Sequence, residues 1–335
     1  YAAGGRFPIV MMNANRATAL PWNIYGDQRD SLALLDHGWI QAYAENNQEA
    51  LDLALMAYAV AEDPAVLTPF MVNLDGFALT HTYETVDVPA EEDADAFLPP
   101  YQATNCFDFE HPKNIGYSAG PDYNRYFKYY EHRDMLGAFE AIDRVEAHFA
   151  ECFGRAYTGP VEAVSCDDAE AILVTLGSIA GLARESVARL REQGKRVGLL
   201  RIRYMRPFPA KLIAEALAGA AAVGVLEKDI SFGAEGTVFT NVNSALQQAG
   251  CMVPTFNFIG GLGGDDIASA QMDAMFDALL DSVGERGRDD AGAGRSCDDA
   301  STGQGAGLGR VSFLGIDFSV ASQPACGDDC EEGAR

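Results

Sequence analysis

The sequence predicts an α/β protein of two successive units, the second a doubly wound parallel sheet. Three observations carry this reading. Uninterrupted apolar runs of strand length alternate with longer stretches of helical periodicity, turn residues punctuate most junctions, and four strand–helix pairs fit within about 115 residues of the second half.

In the first unit, Phe7–Met12 reads as a buried strand. Asn46 is placed to cap a helix whose apolar positions Leu51, Leu55, Tyr58 and Ala59 recur at helical spacing and which ends before Pro64. Thr68–Leu74 reads as a second buried strand, stopped by Asp75-Gly76. Residues 87–130 hold Pro89, Pro99, Pro100 and the acidic run Glu91-Glu92-Asp93-Ala94-Asp95, and read as a long irregular connection. A helix over about Glu131–Cys152 follows, with Met135, Phe139, Ile142, Val145 and Phe149 on one face.

The second unit reads as strands Ala171–Gly177, Val197–Arg203, Ala221–Leu226 and Val253–Ile259. Helices Ser178–Gln193, Pro209–Ala218, Thr237–Gln248 and Asp265–Ser282 alternate with them, Asp265 serving as the last one's N-cap. The expected division is 1–88, part of a first domain; 89–160, a connection with one long helix; 161–283, a complete doubly wound domain; and 284–335, an acidic Gly-rich tail. Within the tail, Val311–Ile316 is apolar enough to dock back onto the body. The chain opens with Tyr1-Ala2-Ala3-Gly4-Gly5 and runs at once into an apolar stretch, so it reads as an entry into the middle of a domain and is expected to be truncated.

The 335 residues carry a net charge of −25, which disfavours nucleic acids and anionic membranes as partners. Residues 284–335 hold ten acids and five arginines, so about −20 falls on the first 283. No apolar run approaches the roughly 20 residues of a membrane helix, and no basic segment followed by an apolar one opens the chain. Seven scattered cysteines (106, 152, 166, 251, 297, 326 and 330), none in a CxxC pair, fit a reducing cytoplasm. They lack the clustering that iron–sulfur ligation needs. The histidines 37, 81, 111, 132 and 148 show no HxH or HExxH spacing, so no metal site is expected, and His81 reads as a packed, hydrogen-bonded side chain.

Three features invite a ligand reading. Arg16 follows an apolar strand, at the strand-end edge where α/β sheets place ligands, and a guanidinium there suits a carboxylate through two parallel hydrogen bonds. On the residues alone a structural ion pair with Asp27 or Asp30 is the favoured reading of Arg16, and those two aspartates read first as turn and cap positions before a helix near Ser31, with loop support for Arg16 as the alternative. Asp75-Gly76 with Asn105 loosely mimics a magnesium-diphosphate signature, but a strand-ending turn explains it better. Gly260–Gly264 before a helix resembles a phosphate cradle, opposed by the charges of Asp265 and Asp266. Gly233–Gly236 reads as a tight turn between strand and helix.

Three stretches carry a likeness to a known family. They are Ala14-Asn15-Arg16-Ala17 with Pro21–Ser31; Gly38–Gln41, Asn46–Ala50, Leu74–Phe77 and Thr80-His81; and Gly198–Arg203, Arg206–Pro209 and Ser231–Gly236. In order and spacing they resemble the alpha subunits of pyruvate:ferredoxin oxidoreductases, over about residues 1–282. The resemblance implies part of a thiamine-enzyme pyrimidine-type domain, followed by a doubly wound domain like the C-terminal domain of transketolase. It implies oxidative decarboxylation of a 2-oxoacid, pyruvate first, by a cytoplasmic complex with beta, gamma and delta-type subunits. Thiamine diphosphate and Mg2+ would be shared with a partner subunit, and iron–sulfur clusters and coenzyme A would lie on other parts of the complex.

The resemblance places the substrate-carboxylate arginine at Arg16, with Asp27 and Asp30 as loop support. The family's substrate-contacting threonine and cofactor-activating glutamate would lie upstream of Tyr1, so no catalytic residue is assigned here. The family's Asp-His stands here as Asp27-Gln28, and no role resting on that histidine carries over. Two alternatives stay open: a relative acting on branched-chain or 2-ketoglutarate substrates, and a non-catalytic assembly subunit.

The charge also bears on the electron acceptor. Two acidic surfaces meet slowly at low salt, so an acidic ferredoxin is expected to dock on a partner subunit. The arginines 201, 203 and 206, in or after a buried strand, are expected to be mostly consumed in ion pairs. Cross-linking of ferredoxin to the assembled complex checks this: dominant links to Lys113, Lys128 or Lys195 would overturn it.

Overall fold

A computed structural model describes residues 1–103, 106–112, 114–116, 118–289 and 311–315. Asn105, Lys113, Ile316, Cys297, Cys326, Cys330 and most of the acidic tail lie outside the described residues. In chain order the elements are β1 (Val10–Asn15), α1 (Arg29–Leu32), β2 (Ile40–Tyr43), α2 (Asn47–Ala61), β3 (Phe70–Asp75), α3 (Glu91–Phe97), α4 (Pro121–Phe153), β4 (Val161–Val164), β5 (Ala171–Leu176), α5 (Ile179–Glu192), β6 (Val197–Ile202), β7 (Tyr204–Arg206), α6 (Ala210–Leu217), β8 (Ala222–Glu227), α7 (Thr237–Gln248), β9 (Thr255–Ile259), α8 (Ser269–Asp289) and β10 (Val311–Phe313).

The first sheet has the order β1-β3-β2-β7. Its first three strands are parallel, as the strand–helix–strand rhythm predicts, while β7 joins antiparallel to β2 with Ala42 opposite Tyr204. Leu53, Met56 and Val60 of α2 and Ala138, Ile142 and Phe149 of α4 pack with Ile40, Phe70 and Val72 of the sheet. Asn46 caps α2 as expected, accepting from the Glu49 amide at 2.9 Å.

The second sheet has the order β10-β9-β8-β5-β6-β4. Only β4 runs antiparallel, on β6. One helical layer, α5 and α8, closes over Leu173, Leu199 and Leu226; the other, α7 with α6, packs on Val174, Leu200 and Val225. The chain winds from β5 outward to β6, then crosses back to β8 and on to β9, the doubly wound topology the four strand–helix pairs predict. The apolar piece of the tail does dock back, Val311–Phe313 extending the sheet parallel to β9.

Several expectations need correction. The first strand lies at Val10–Asn15 and is not buried: it is an edge strand paired with β3 on one side, and Ile9, Met11 and Met12 are exposed. The stretch expected to be irregular contains α3 and the first three turns of α4. The acidic residues Glu91, Glu92 and Asp93 occupy the first turn of α3, where the positive end of the helix dipole favours them, and Phe97 anchors the helix against Phe149 and Phe153. Pro121 opens α4 at a first-turn position that needs no amide hydrogen. The last helix begins at Ser269, not at Asp265; the Ala268 amide donates to Gln271 Oε1, and the Ala268 carbonyl starts the helical ladder.

A buried ion cluster joins the two sheets. Between β6 and β7, Arg203 is almost fully buried and donates to Glu49 Oε1 and Glu146 Oε1, both at 2.7 Å, while Arg201 pairs with Glu49, Glu45 and Glu162. Burial alone would raise the Glu49 carboxyl, but Arg201 and Arg203 outweigh it and hold the group below its ordinary range. Two of the three arginines expected in ion pairs are therefore consumed there. Arg206 instead bonds the Met205 carbonyl and Asn241, with Asp36 no nearer than 3.9 Å.

We propose the boundary between the two units near residue 160, where β4 enters the second sheet. Removing one partner of a buried ion cluster leaves the other charge uncompensated, at a cost of about 3–5 kcal/mol. Glu49→Gln is accordingly expected to destabilise the whole chain by about that amount in chemical denaturation; a loss below about 1 kcal/mol would show the cluster to be energetically neutral.

Candidate functional site

The carboxyl ends of both sheets face each other, and the residues singled out in the sequence gather along that seam. Asp75, the last residue of β3, is buried against the second unit. Its carboxylate accepts from the Ser178 amide at 2.8 Å, the Ser178 hydroxyl at 2.5 Å, Gln28 Nε2 at 2.9 Å and Lys228 Nζ at 3.2 Å. Burial would push its pKa up; Lys228, Ser178 and Gln28 together reverse this and hold it low. Ser178 follows β5 and Lys228 follows β8, the two strands between which the winding reverses. That switch point is where open α/β sheets usually take a ligand, and here the first unit fills it.

The strand-ending turn at Asp75-Gly76 is observed, with a tighter constraint than the sequence shows. A Cβ on Gly76 would lie 2.0 Å from the Asn15 carbonyl oxygen, and Gly76 also presses on the Gly26 backbone, so two chain segments meet at a distance only glycine permits.

Arg16 lies one residue beyond β1 and is exposed. Its amide donates to Asp30 Oδ2 at 3.0 Å, its Nε donates to the Asn23 carbonyl at 3.1 Å, and the guanidinium sits 5.2 Å from the Trp22 ring centre. No carboxylate among the described residues forms an ion pair with it, so the structural pairing with Asp27 or Asp30 is absent. Asp30 instead ties the Arg16 backbone to Asn13 and Asn15 of β1. Asp27 is buried, forks with Arg29 at 2.6 and 2.9 Å and accepts from the Gly263 amide at 3.2 Å. Leu20, Trp22, Ile24 and Tyr25 lie on the same loop as Arg16 and are all exposed.

His81 has the expected hydrogen bond but is not buried. It is exposed, stacked on Phe77 at 4.1 Å and bonded to Thr80 Oγ1 at 2.9 Å. It sits just past β3, where no second layer covers it.

The residues present can be tested against a metal-bound diphosphate. Among the described residues no group of three or more His, Cys, Asp or Glu is placed to hold a metal ion. Asp75 is spent on Lys228, Ser178 and Gln28. In the Gly260–Gly264 loop, Gly263 is engaged through both its amide and its carbonyl, by Asp27 and Asn23. The first amides of α7 are filled by side chains: Gly236 donates to Asn257, Thr237 to Asp229, and Val238 and Phe239 to Glu227. These three places do not fit the group, in line with the turn readings of Asp75-Gly76 and Gly233–Gly236 and with the argument against a cradle at Gly260–Gly264.

Glu227 itself is missed by sequence reading. Burial pushes its carboxyl up to about 8, with Asp229 adding to the rise and the amides of α7 opposing it. A Cβ on Gly236 would strike its carboxylate at 1.9 Å, which explains the glycine that ends Ser231–Gly236.

Two family models match the chain. Residues 1–147 match the one described as pyruvate flavodoxin/ferredoxin oxidoreductase, thiamine diphosphate-binding, and residues 169–272 match pyruvate:ferredoxin oxidoreductase core domain II. Pyruvate synthase subunit PorA of Methanothermobacter thermautotrophicus is 46% identical over 276 residues, covering 82% of this chain and 71% of that relative. The chain belongs to the pyruvate:ferredoxin oxidoreductase family. Within that family PorA of Pyrococcus abyssi is 42% identical, covering 86% of this chain and 72% of the relative. Ketoisovalerate oxidoreductase subunit VorA of the same organism is 41% identical, covering 82% and 69%. The fold is also that of 2-oxoglutarate:ferredoxin oxidoreductase from Magnetococcus marinus, with a TM-score of 0.56 at 16% identity over 83% of this chain and 50% of that one. The α/β reading, with a thiamine diphosphate-binding first unit, agrees with these matches.

The seam carries two carboxyls of opposite sign in their pH response. The Glu227 pKa is raised above its ordinary 4.5, so its contribution to stability is fully present below that value and is lost as pH rises through about 8. The Asp75 pKa is lowered from 3.8, so its contribution is present above that value and is lost as pH falls through the still lower folded-state value. Denaturation between about pH 5 and 9 is expected to show stability declining toward alkaline pH, with a flatter profile in Glu227→Gln. Equal slopes for the two proteins would reject the role given to Glu227.

Proposed function

We propose that this chain is the alpha-type subunit of a 2-oxoacid:ferredoxin oxidoreductase of the pyruvate synthase kind, in which Arg16 holds the substrate carboxylate. The complex takes pyruvate to acetyl-CoA and CO2 with electrons passing to ferredoxin, or runs the reverse. The observation that carries the residue-level reading is the Arg16 guanidinium, unneutralised by any carboxylate among the described residues and set at the strand-end edge beside an exposed apolar loop.

The chemistry fits that placement. A 2-oxoacid must be held by its carboxylate while its carbonyl is attacked, and a guanidinium offers a planar fork that stays charged at any working pH. Because Nε is engaged by the Asn23 carbonyl, the two Nη groups are left to grip the carboxylate end-on. Asp27 and Asp30 support the loop: Asp30 fixes the Arg16 backbone and Asp27 pins the following turn to the second unit. The exposed apolar side chains of Leu20, Trp22, Ile24 and Tyr25 on that loop suit cover by another subunit.

Thiamine diphosphate supplies the carbanion chemistry when bound. With no fitting cradle among the described residues, we assign its diphosphate and Mg2+ to a shared site whose metal-holding side belongs to a partner subunit. Coenzyme A and the iron–sulfur clusters are assigned to other parts of a complex with beta, gamma and delta-type subunits, ferredoxin docking on one of those. No helix among the described residues is long and apolar enough to cross a membrane, and a cytoplasmic complex is proposed.

The similarity to the ketoisovalerate subunit VorA supports a second reading, a branched-chain substrate at the same site. Turnover of pyruvate against 3-methyl-2-oxobutanoate by one reconstituted complex separates the two. Arg16→Lys keeps the charge but loses the fork, so 2-oxoacid binding is expected to weaken by about 1–3 kcal/mol. It should appear as a raised KM with thiamine content unchanged, and an unaltered KM in both Arg16→Lys and Arg16→Ala rejects the assignment.

A further inference from the structure

Arg16 stands on a loop whose anchorage lies largely in the other unit. Within the loop, the Ala17 amide donates to the Tyr25 carbonyl at 2.9 Å, and the Tyr25 amide donates to Asn23 Oδ1 at 2.6 Å. The Asn23 carbonyl then takes Arg16 Nε. What fixes Asn23 is Gly263, 240 residues away: Asn23 Nδ2 donates to the Gly263 carbonyl at 3.0 Å, while the Gly263 amide donates to Asp27 Oδ2 at 3.2 Å. One residue of the second unit thus holds the loop at two points, on either side of Tyr25. Gly263 has φ of +63°, and a Cβ there would lie 2.7 Å from Asn23 Nδ2; a Cβ on Gly264 would lie 2.4 Å from Tyr25 Cβ. No side chain fits between the loop and this backbone.

We propose that Gly263 and Asn23 are positioning residues for the substrate carboxylate: the glycine loop of the second unit fixes Asn23, whose backbone carbonyl aims the Arg16 guanidinium. The inference rests on Arg16 holding that carboxylate. It gives the Gly260–Gly264 run a task other than phosphate binding, namely a flat backbone surface against which the substrate loop is set.

The test uses the assembled complex with pyruvate and compares Asn23→Ala, Gly263→Ala, Arg16→Ala and the double variant Arg16→Ala/Asn23→Ala. Asn23→Ala keeps the carbonyl but removes the side-chain bonds to Gly263 and Tyr25 that fix it, and should raise the KM for pyruvate about three- to tenfold. Over the same comparison kcat should stay within about twofold and thiamine content should not change. Gly263→Ala should do the same from the opposite side of the contact. In the Arg16→Ala background, Asn23→Ala should have no further effect on KM, because two residues acting through one group are not additive. If Arg16→Ala raises KM and Asn23→Ala does not, the positioning role fails and the carboxylate reading stands. An equal KM increase from Asn23→Ala with and without Arg16 reduces Asn23 to a structural role and overturns the proposal. No change in Arg16→Ala itself removes the carboxylate reading, and the positioning role with it.

Discussion

A carboxylate sealed between two sheets must find compensation there, and Asp75 does so only if the units meet in one arrangement. Its partners come from three places: Gln28 on the Arg16 loop, Ser178 after β5 and Lys228 after β8. Stripped of them, the buried charge would cost several kcal/mol. The same contacts bring the carboxyl ends of both sheets together, close the switch point of the doubly wound sheet and lay residues 16–30 across the seam. The Arg16 loop is therefore placed by an electrostatic requirement whose centre, Asp75, lies outside the loop.

The charge cluster around Glu49 repeats this logic at the other end of the seam. Arg201 and Arg203 reach it from the second unit, Glu45 and Glu49 from the start of α2, and Glu146 from α4. Apolar packing tolerates small sliding, whereas directional bonds between buried ions do not. The seam is held by such bonds at both ends, which suits a site that must present a guanidinium in a fixed direction.

Much of the architecture was legible because local and tertiary forces agree. The helix Thr237–Gln248 was placed to the residue, since Gly236 and Gly250 bracket one continuous amphipathic pattern. The parallel strands β5, β6, β8 and β9 are legible because strands covered on both faces are largely apolar, whereas the half-exposed edge strand β4 escapes the same reading. Where the forces diverge, reading failed. Edge strand β1 is as apolar as a central one but half exposed, and β7 is three residues whose strand character comes only from β2. Helix α3 hid in an acidic run that looks solvated until Phe97 is seen in the core. At the proposed site, Arg16 stands out in the sequence because its motif is local. The task of Asp75 does not, because Lys228 is 153 residues away, and neither does that of Asn23. Glycines that look like anion cradles proved to be places where protein groups already occupy the backbone amides.

The passage of the chain from β6 into β7 has a mechanical consequence. Within four residues of Val161's partner Ile202, the same strand direction leaves one sheet and enters the other, with the buried Arg203 between them. A clamshell opening of the two units would have to tear Tyr204–Arg206 from β2 and drag a guanidinium out of a ring of carboxylates. The pair therefore behaves as one rigid jaw. Any opening over the proposed Arg16 site therefore has to come from outside this seam, not from a hinge between the two sheets.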